Sequence, residues 1–188
     1  METVIEIAIG IGLSAACGFR VFVPLLVINL AALTGHLQLS SEFVWLGSQS
    51  ATVAFCTATI LEVLAYYIPW VDHLMDTITT PAAVIAGVVA TASTVADVSP
   101  FLRWTLALIA GGSIAGLVQG ATLALRAKSS LVTTGVGNPV ISTMELFGAA
   151  ITAILAIFVP VVAIFLIGLL LFFALRKTGR FLFGRKNT

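Results

Sequence analysis

Long apolar runs that hold single ionisable residues constrain this chain more than any motif does. Arg20, Glu62, Asp97 and Glu145 all lie inside such runs. Hydrophobic residues make up 60% of the chain and charged residues 9%. That balance reads as an all-α integral membrane protein, a polytopic helical bundle. An ionisable side chain deep in a bilayer costs about 3 kcal/mol or more unless it faces a partner or water. These charges therefore mark the region in which function is to be sought.

Little polar sequence separates the apolar runs, so a single transmembrane domain over residues 1–175 is expected, followed by a basic tail over 176–188. The tail carries Arg176, Lys177, Arg180, Arg185 and Lys186 and no acid. The positive-inside rule places it in the cytoplasm. Cations beside a membrane helix fit topology and lipid headgroups better than nucleic acid. The acidic start, Met1 to Glu6, does not read as a signal peptide, and no processing is expected. Cys17 and Cys56 sit in apolar runs and read as small buried hydrophobes.

Pairs of a capping residue and proline mark helix starts at Thr80-Pro81, Ser99-Pro100 and Asn138-Pro139. They predict helices over 81–97 and 100–126 and a third from Pro139. A fourth runs from about Glu42 to Ile68, before Pro69. Val4–Leu33 would be roughly 45 Å long as one straight helix, and Pro139–Leu175 on the order of 55 Å, against about 30 Å of hydrocarbon. Breaks or kinks are therefore expected near Arg20 and Pro24 and near Pro160. Two readings of 139–175 stand: two spans turning near Pro160, or a re-entrant piece followed by one span.

Six crossings with both termini inside put the loop holding Arg126 and Lys128 in the cytoplasm. Trp45 and Trp104 then mark the outer interface, and Tyr66, Tyr67 and Trp70 the inner one. Six is the expected count. An inverted repeat is not established. Aligning Glu62 with Glu145 and aligning Pro81 with Pro139 require different offsets.

Thr52, Thr59, Glu62 and Tyr66 fall near one line of their helix, and Ser142, Glu145, Ala149 and Thr152 on one face of another. Such stripes should face the bundle interior. Each Glu reads either as a proton-, cation- or substrate-handling carboxylate or as a paired structural one. Arg20 suits an internal salt bridge to Glu62 or Glu145, an anionic headgroup, or snorkelling to the surface. Asp97 is a pathway candidate or the organiser of the turn before Pro100. Asp72 and Asp76, one helical turn apart, make a weak metal candidate or a solvated turn. The glycine-rich run Thr133 to Asn138 leads into a helix start, where backbone N–H groups could receive a phosphate or simply end a loop. Gly112, Gly116 and Gly120 have the small-xxx-small spacing that lets helices pack closely.

Gly18-Phe-Arg-Val-Phe-Val-Pro-Leu-Leu26, Leu61-Glu-Val-Leu-Ala65, Ile68 to Asp76, Asp97-Val-Ser-Pro100 and Thr133 to Ser142 with Glu145 occur in that order. As a set they resemble the domain of unknown function 4126 family of small bacterial multi-pass membrane proteins. The resemblance implies a membrane placement and a bacterial source. It puts Arg20, Glu62, Asp72, Asp76, Asn138 and Glu145 in characteristic segments and gives none of them a role.

The expected function is a transporter or channel-like protein of the bacterial inner membrane. Its polar site would be lined by Arg20, Glu62 and Glu145, with Tyr66, Asp97 and Asn138 as further pathway candidates. The alternatives are a non-catalytic scaffold with paired charges and a lipid-acting membrane enzyme. No catalytic set or cofactor fingerprint is read from the chain. Expected partners are membrane lipids and a small anionic or cationic substrate, with no nucleic acid and with homo-oligomerisation left open.

Overall fold

The structure, a computed structural model, describes residues 2–68 and 71–183. The described residues are all-helical. The first apolar run is two helices, α1 (Glu2–Phe19) and α2 (Phe22–Leu33). The break has a local cause. The ring of Pro24 would clash with the carbonyl of Arg20 in a continuous helix, so the chain restarts with Pro24 in the first turn of α2. A 3-10 segment, Ser41–Gly47, then leads into α3 (Gln49–Tyr66). The run expected to be one helix from Glu42 is thus two pieces, because Ser48 is extended and its side chain caps the Ala51 N–H at 3.1 Å. Pro69 and Trp70, expected to end that helix and to mark an interface, lie outside the described residues.

The helix α4 runs Val71–Thr94, with Pro81 inside it. The expected start at Thr80-Pro81 is therefore corrected. Thr80 does not cap: its hydroxyl donates back to the Asp76 carbonyl at 2.6 Å, as Thr77 and Thr79 do to His73 and Met75. Those bonds and the packing of α4 hold the helix across the N–H that proline lacks. Ser99 does cap the next helix, accepting from Leu102 N–H. That helix continues through α5 (Pro100–Leu106), a π-helical turn (Ala107–Gly112) and α6 (Ser113–Thr133), one turn or more past the expected end at Arg126. It stops at Thr134 and Gly135, both at positive φ, 52° and 91°. Then come α7 (Asn138–Phe158) and α8 (Pro160–Phe183). The chain breaks at Val159, next to Pro160, where a break was expected. α8 carries helix into the expected tail as far as Phe183; Arg185 and Lys186 lie outside the described residues.

Cross-contacts fix the helix directions. Along α1, Glu6 meets Thr94 and Ala96, Ser14 meets Thr91 and Gly87, so α4 runs antiparallel to α1. Arg20 meets Ser142, and Gly12 lies against Ala156, so α7 is antiparallel too. α2 turns back beside α3: the Phe22 N–H reaches Glu62, and Asn29 reaches Ser48 and Thr52. Its outer end returns to the level of the N-terminus, where Ser40 bonds the carbonyls of Ala92 and Ser93 and His36 meets the ring of Phe158. α1 and α2 therefore form a helical hairpin that enters from one end of the bundle and leaves by the same end. Among the described residues four helices are long and apolar enough to cross a membrane: α3, α4, α5–α6 and α7, while α1, α2 and the apolar part of α8 are shorter. Six crossings are thus not confirmed.

A tight crossing joins α4 to the π-helical turn. A Cβ added at Gly111 would sit 2.5 Å from Thr91 Oγ1 and 2.6 Å from the Gly87 carbonyl. The expected spine lies one stripe away. Gly112 meets Val88 and Val84, Gly116 meets Val84 at an ordinary 3.4 Å, and Gly120 faces nothing within 4 Å. Spacing alone does not tell two neighbouring stripes apart when Ala115 makes the other stripe small as well. Gly111→Ala should accordingly cost about 1–3 kcal/mol through overpacking, whereas Gly120→Ala should be neutral or gain up to about 1 kcal/mol of helix propensity. Thermal unfolding in detergent checks the contrast. Equal stability of the two variants would mean that the crossing is not tight.

Candidate functional site

The tip of the α1–α2 hairpin lies among α3, α4, α6 and α7, about one helical turn inside the end of the bundle where α7 begins. Here three of the four isolated charges of the sequence, Arg20, Glu62 and Glu145, come together. Arg20 is 2% exposed. Its Nη2 donates to the Ser142 carbonyl at 2.9 Å and to the Ser142 hydroxyl, and it stands 3.6 Å from Glu145 Oε2. Arg126, from α6, grips the same carboxylate in a two-pronged contact, Nε to Oε1 at 2.9 Å and Nη2 to Oε2. Its Nη1 lies 3.4 Å from Asp76. Glu145 is thus shared by two guanidinium groups. Both lie over the ring of Tyr66, 3.9 and 4.0 Å from its centroid, in the geometry of cation–π attraction.

Glu62 does something else. Residue 21, which precedes α2, is a valine and offers no cap. The Glu62 carboxylate supplies one from α3, with Oε1 accepting from the Val21 N–H at 2.9 Å and Oε2 from the Phe22 N–H at 3.1 Å. An anion is well placed at a helix N-terminus, where free N–H groups and the positive end of the dipole coincide. The bond that the sequence left open for Arg20, to Glu62 or to Glu145, goes to Glu145.

Tyr66 is buried, not part of an interfacial belt. Thr79 spends its hydroxyl proton on the Met75 carbonyl, so the Tyr66 hydroxyl, 2.8 Å away, donates to Thr79; Gln119 reaches the same oxygen. Trp45 and Trp104 are exposed at the opposite end, and Tyr67 is exposed and bonds Thr143. Asn138 opens α7, but its side chain does not cap. It donates to Asp72 at 2.8 Å and to Ser130 at 3.0 Å. Asp72 and Asp76 both face inward, each with its own partner. Among the described residues no group of three or more His, Cys, Asp or Glu could hold a metal ion. Asp97 is exposed in the turn at the other end of the bundle, apart from this cluster. The Thr133–Asn138 run is a turn closed on itself, Gly137 N–H donating to the Thr133 hydroxyl.

An open groove of about 400 Å³ reaches Asp76, lined also by His73, Thr77, Thr80, Pro81 and Leu123. At the other end of the bundle a few polar contacts join the segments. Arg103 contacts Glu42 at 3.4 Å and the Ala96 carbonyl at 3.0 Å, and Glu6 takes the Ala96 N–H. The residue that sequence reasoning missed is Arg126. Its place among the helical spacings, seven residues beyond Gln119 on one helix face, was the available signal.

The family model described as a domain of unknown function, DUF4126, matches residues 7–180. The chain belongs to that family. The match takes in every residue of the cluster, from Arg20 to Glu145, and agrees with the resemblance carried by the segments between Gly18 and Glu145. No protein of curated function and no solved structure matches the chain.

Proposed function

We propose that the protein is a small transporter of a bacterial inner membrane, with the Arg20–Tyr66–Arg126–Glu145–Asp76 cluster as its polar intramembrane site. The observation that carries this reading is the broken hairpin: a helix start, its first N–H groups held by Glu62, stands inside the bundle beside buried charges. Broken helices that aim their ends at a polar site are how membrane transporters hold charged cargo without exposing backbone to lipid. The groove at Asp76 supplies an approach from one end, and at the other the contacts of Arg103 and Glu6 join the segments. Ser14, Thr91 and Thr94 add a run of hydroxyls between α1 and α4.

The helix directions support a topology of five crossings, α3 to α8, plus the hairpin. Arg126, Lys128 and Arg176 then share the cytoplasmic end, and Glu6, Glu42 and Asp97 the outer end. This keeps the positive-inside rule while placing the termini on opposite sides. In a cysteine-free background, a cysteine at Ser129 should react with an impermeant reagent from the cytoplasmic side and one at Gly35 from the outside. Labelling of both from one side would end the five-crossing topology.

Reconstituted into lipid vesicles, the protein is expected to pass protons or small ions down an imposed gradient, and Asp76→Asn to slow that flux. Vesicles as tight as protein-free ones would reject transport. They would favour the second reading, a scaffold, for which the two-pronged Arg126–Glu145 pair is the supporting observation.

A further inference from the structure

Two guanidinium groups converge on one carboxylate and still have donors to spare. Arg20 Nε and Nη1 are buried and without a hydrogen-bond partner, and Arg126 Nη1 has only its 3.4 Å ion-pair contact with Asp76. Buried donors are nearly always satisfied, so two orphans on Arg20, beside an Arg126 donor held only by a longer ion pair, indicate capacity for another acceptor. An ion pair built only for stability would need one arginine for Glu145. Here the second arginine is held at the same carboxylate by Ser142 and by the Tyr66 ring, which fixes both forks in place at low entropy cost.

The geometry points to Glu145 as an internal carboxylate occupying a binding site for a small monovalent anion, formed by Arg20 and Arg126, from which an entering anion displaces it. This rests on the transport reading above and names its substrate class. A chloride-sized or formate-sized anion meets the requirement: it needs only the two forks and the spare N–H groups, with the Tyr66 ring as one wall. Gluconate, a larger polyhydroxy anion, offers the same carboxylate on a bulkier body and serves as the size control.

Charge balance adds a second consequence. The acids around the site are Glu145 on α7, Asp72 and Asp76 on α4 and Glu62 on α3, and the cations are Arg20 and Arg126. His73 stands in the groove. The entering anion adds a further negative charge to a cluster in which acids outnumber cations, so a proton enters with it. Glu62 keeps its two N–H partners at the start of α2, and Asp72 keeps the Asn138 amide and the His73 N–H. The displaced Glu145 is the acid that loses its partners to the anion.

A competitor leaves a signature opposite to that of a structural group. The full-length protein in detergent is titrated with sodium formate, with sodium gluconate at equal ionic strength as the control, and thermal unfolding is followed. Formate, and not gluconate, should raise the midpoint of the wild type with saturation. Glu145→Ala should lower the midpoint by roughly 10 °C without formate, and should bind formate roughly tenfold more tightly or better than wild type, because the internal rival is gone. Glu145→Gln, which keeps the volume, should also bind formate more tightly, so the test survives if the alanine variant does not fold. Adding Arg126→Gln should abolish the formate effect in either background. Formate acting no differently from gluconate, or binding no more tightly after loss of the Glu145 charge, overturns the inference. Ion flux in vesicles judges the transport reading separately: vesicles that pass ions while the formate titration fails would leave transport standing without this anion site.

Discussion

Arg126→Leu is expected to be the most destabilising single substitution in the cluster. It strands Glu145 and Asp76, both buried, and leaves Glu145 with only the longer contact to Arg20. Breaking a buried pair by removing one partner costs about 3–5 kcal/mol, since the remaining charge is left without compensation. For a chain of this size that is a fall in unfolding temperature of roughly 6–20 °C. Arg126→Lys should fall between the two proteins. Lysine keeps the charge but cannot make the two-pronged contact or lie flat over Tyr66. Arg126→Leu combined with Glu145→Leu should recover part of the loss, because two apolar side chains need no partner. Thermal unfolding of the four proteins in one detergent checks the set. Equal stability of the leucine and lysine variants would show that the fork geometry contributes nothing.

The inward-facing stripes were legible because a carboxyl cannot face lipid cheaply. That argument placed Glu62 and Glu145 correctly on buried faces and singled out Arg20. It could not say which carboxyl meets which cation, since pairing depends on the depth at which each helix presents its residue. Arg126 escaped for a related reason. It stands near Lys128 and Ser129, and a cation beside polar residues reads as the edge of a loop. The helix in fact continues to Thr133, which moves Arg126 a full turn or more inside. Glu62 as a helix cap was equally hidden, since the residues that it caps are forty positions away in sequence and joined to it only by the fold.

The breaks in the apolar runs were legible from length against bilayer thickness, and both fell close to the prolines that cause them. What followed each break was not. A helix interrupted at Arg20 can go on across the membrane or turn back, and composition is the same in either case. The reversal of α2 is settled by long-range contacts, Asn29 with α3 and Ser40 with the end of α4. Pro81 misled for a different reason. Threonine before proline is good cap chemistry, but Thr80 serves the preceding turn instead, and the apolar face of α4 outweighs the loss of one backbone bond.

The second large effect concerns the hairpin tip. Glu62→Ala removes both acceptors from the Val21 and Phe22 N–H groups, inside a bundle where Glu62 itself is 2% exposed. Each buried donor left unsatisfied costs about 1–3 kcal/mol. Together the two should cost roughly 2–6 kcal/mol, concentrated at the start of α2 rather than spread over the bundle. Glu62→Gln keeps one acceptor oxygen, so it should retain one of the two bonds and lose less. It also removes the charge that favours the positive end of the α2 dipole, worth about 0.3–1 kcal/mol more. The distribution of the damage is the sharper readout. Hydrogen exchange should quicken at Val21, Phe22 and the first turn of α2 in Glu62→Ala, while α4 and α6, whose contacts to each other do not pass through Glu62, keep their protection. Uniform loss of protection would mean that Glu62 supports the whole bundle. Unchanged exchange at Val21 and Phe22 would mean that the hairpin tip finds its acceptors elsewhere.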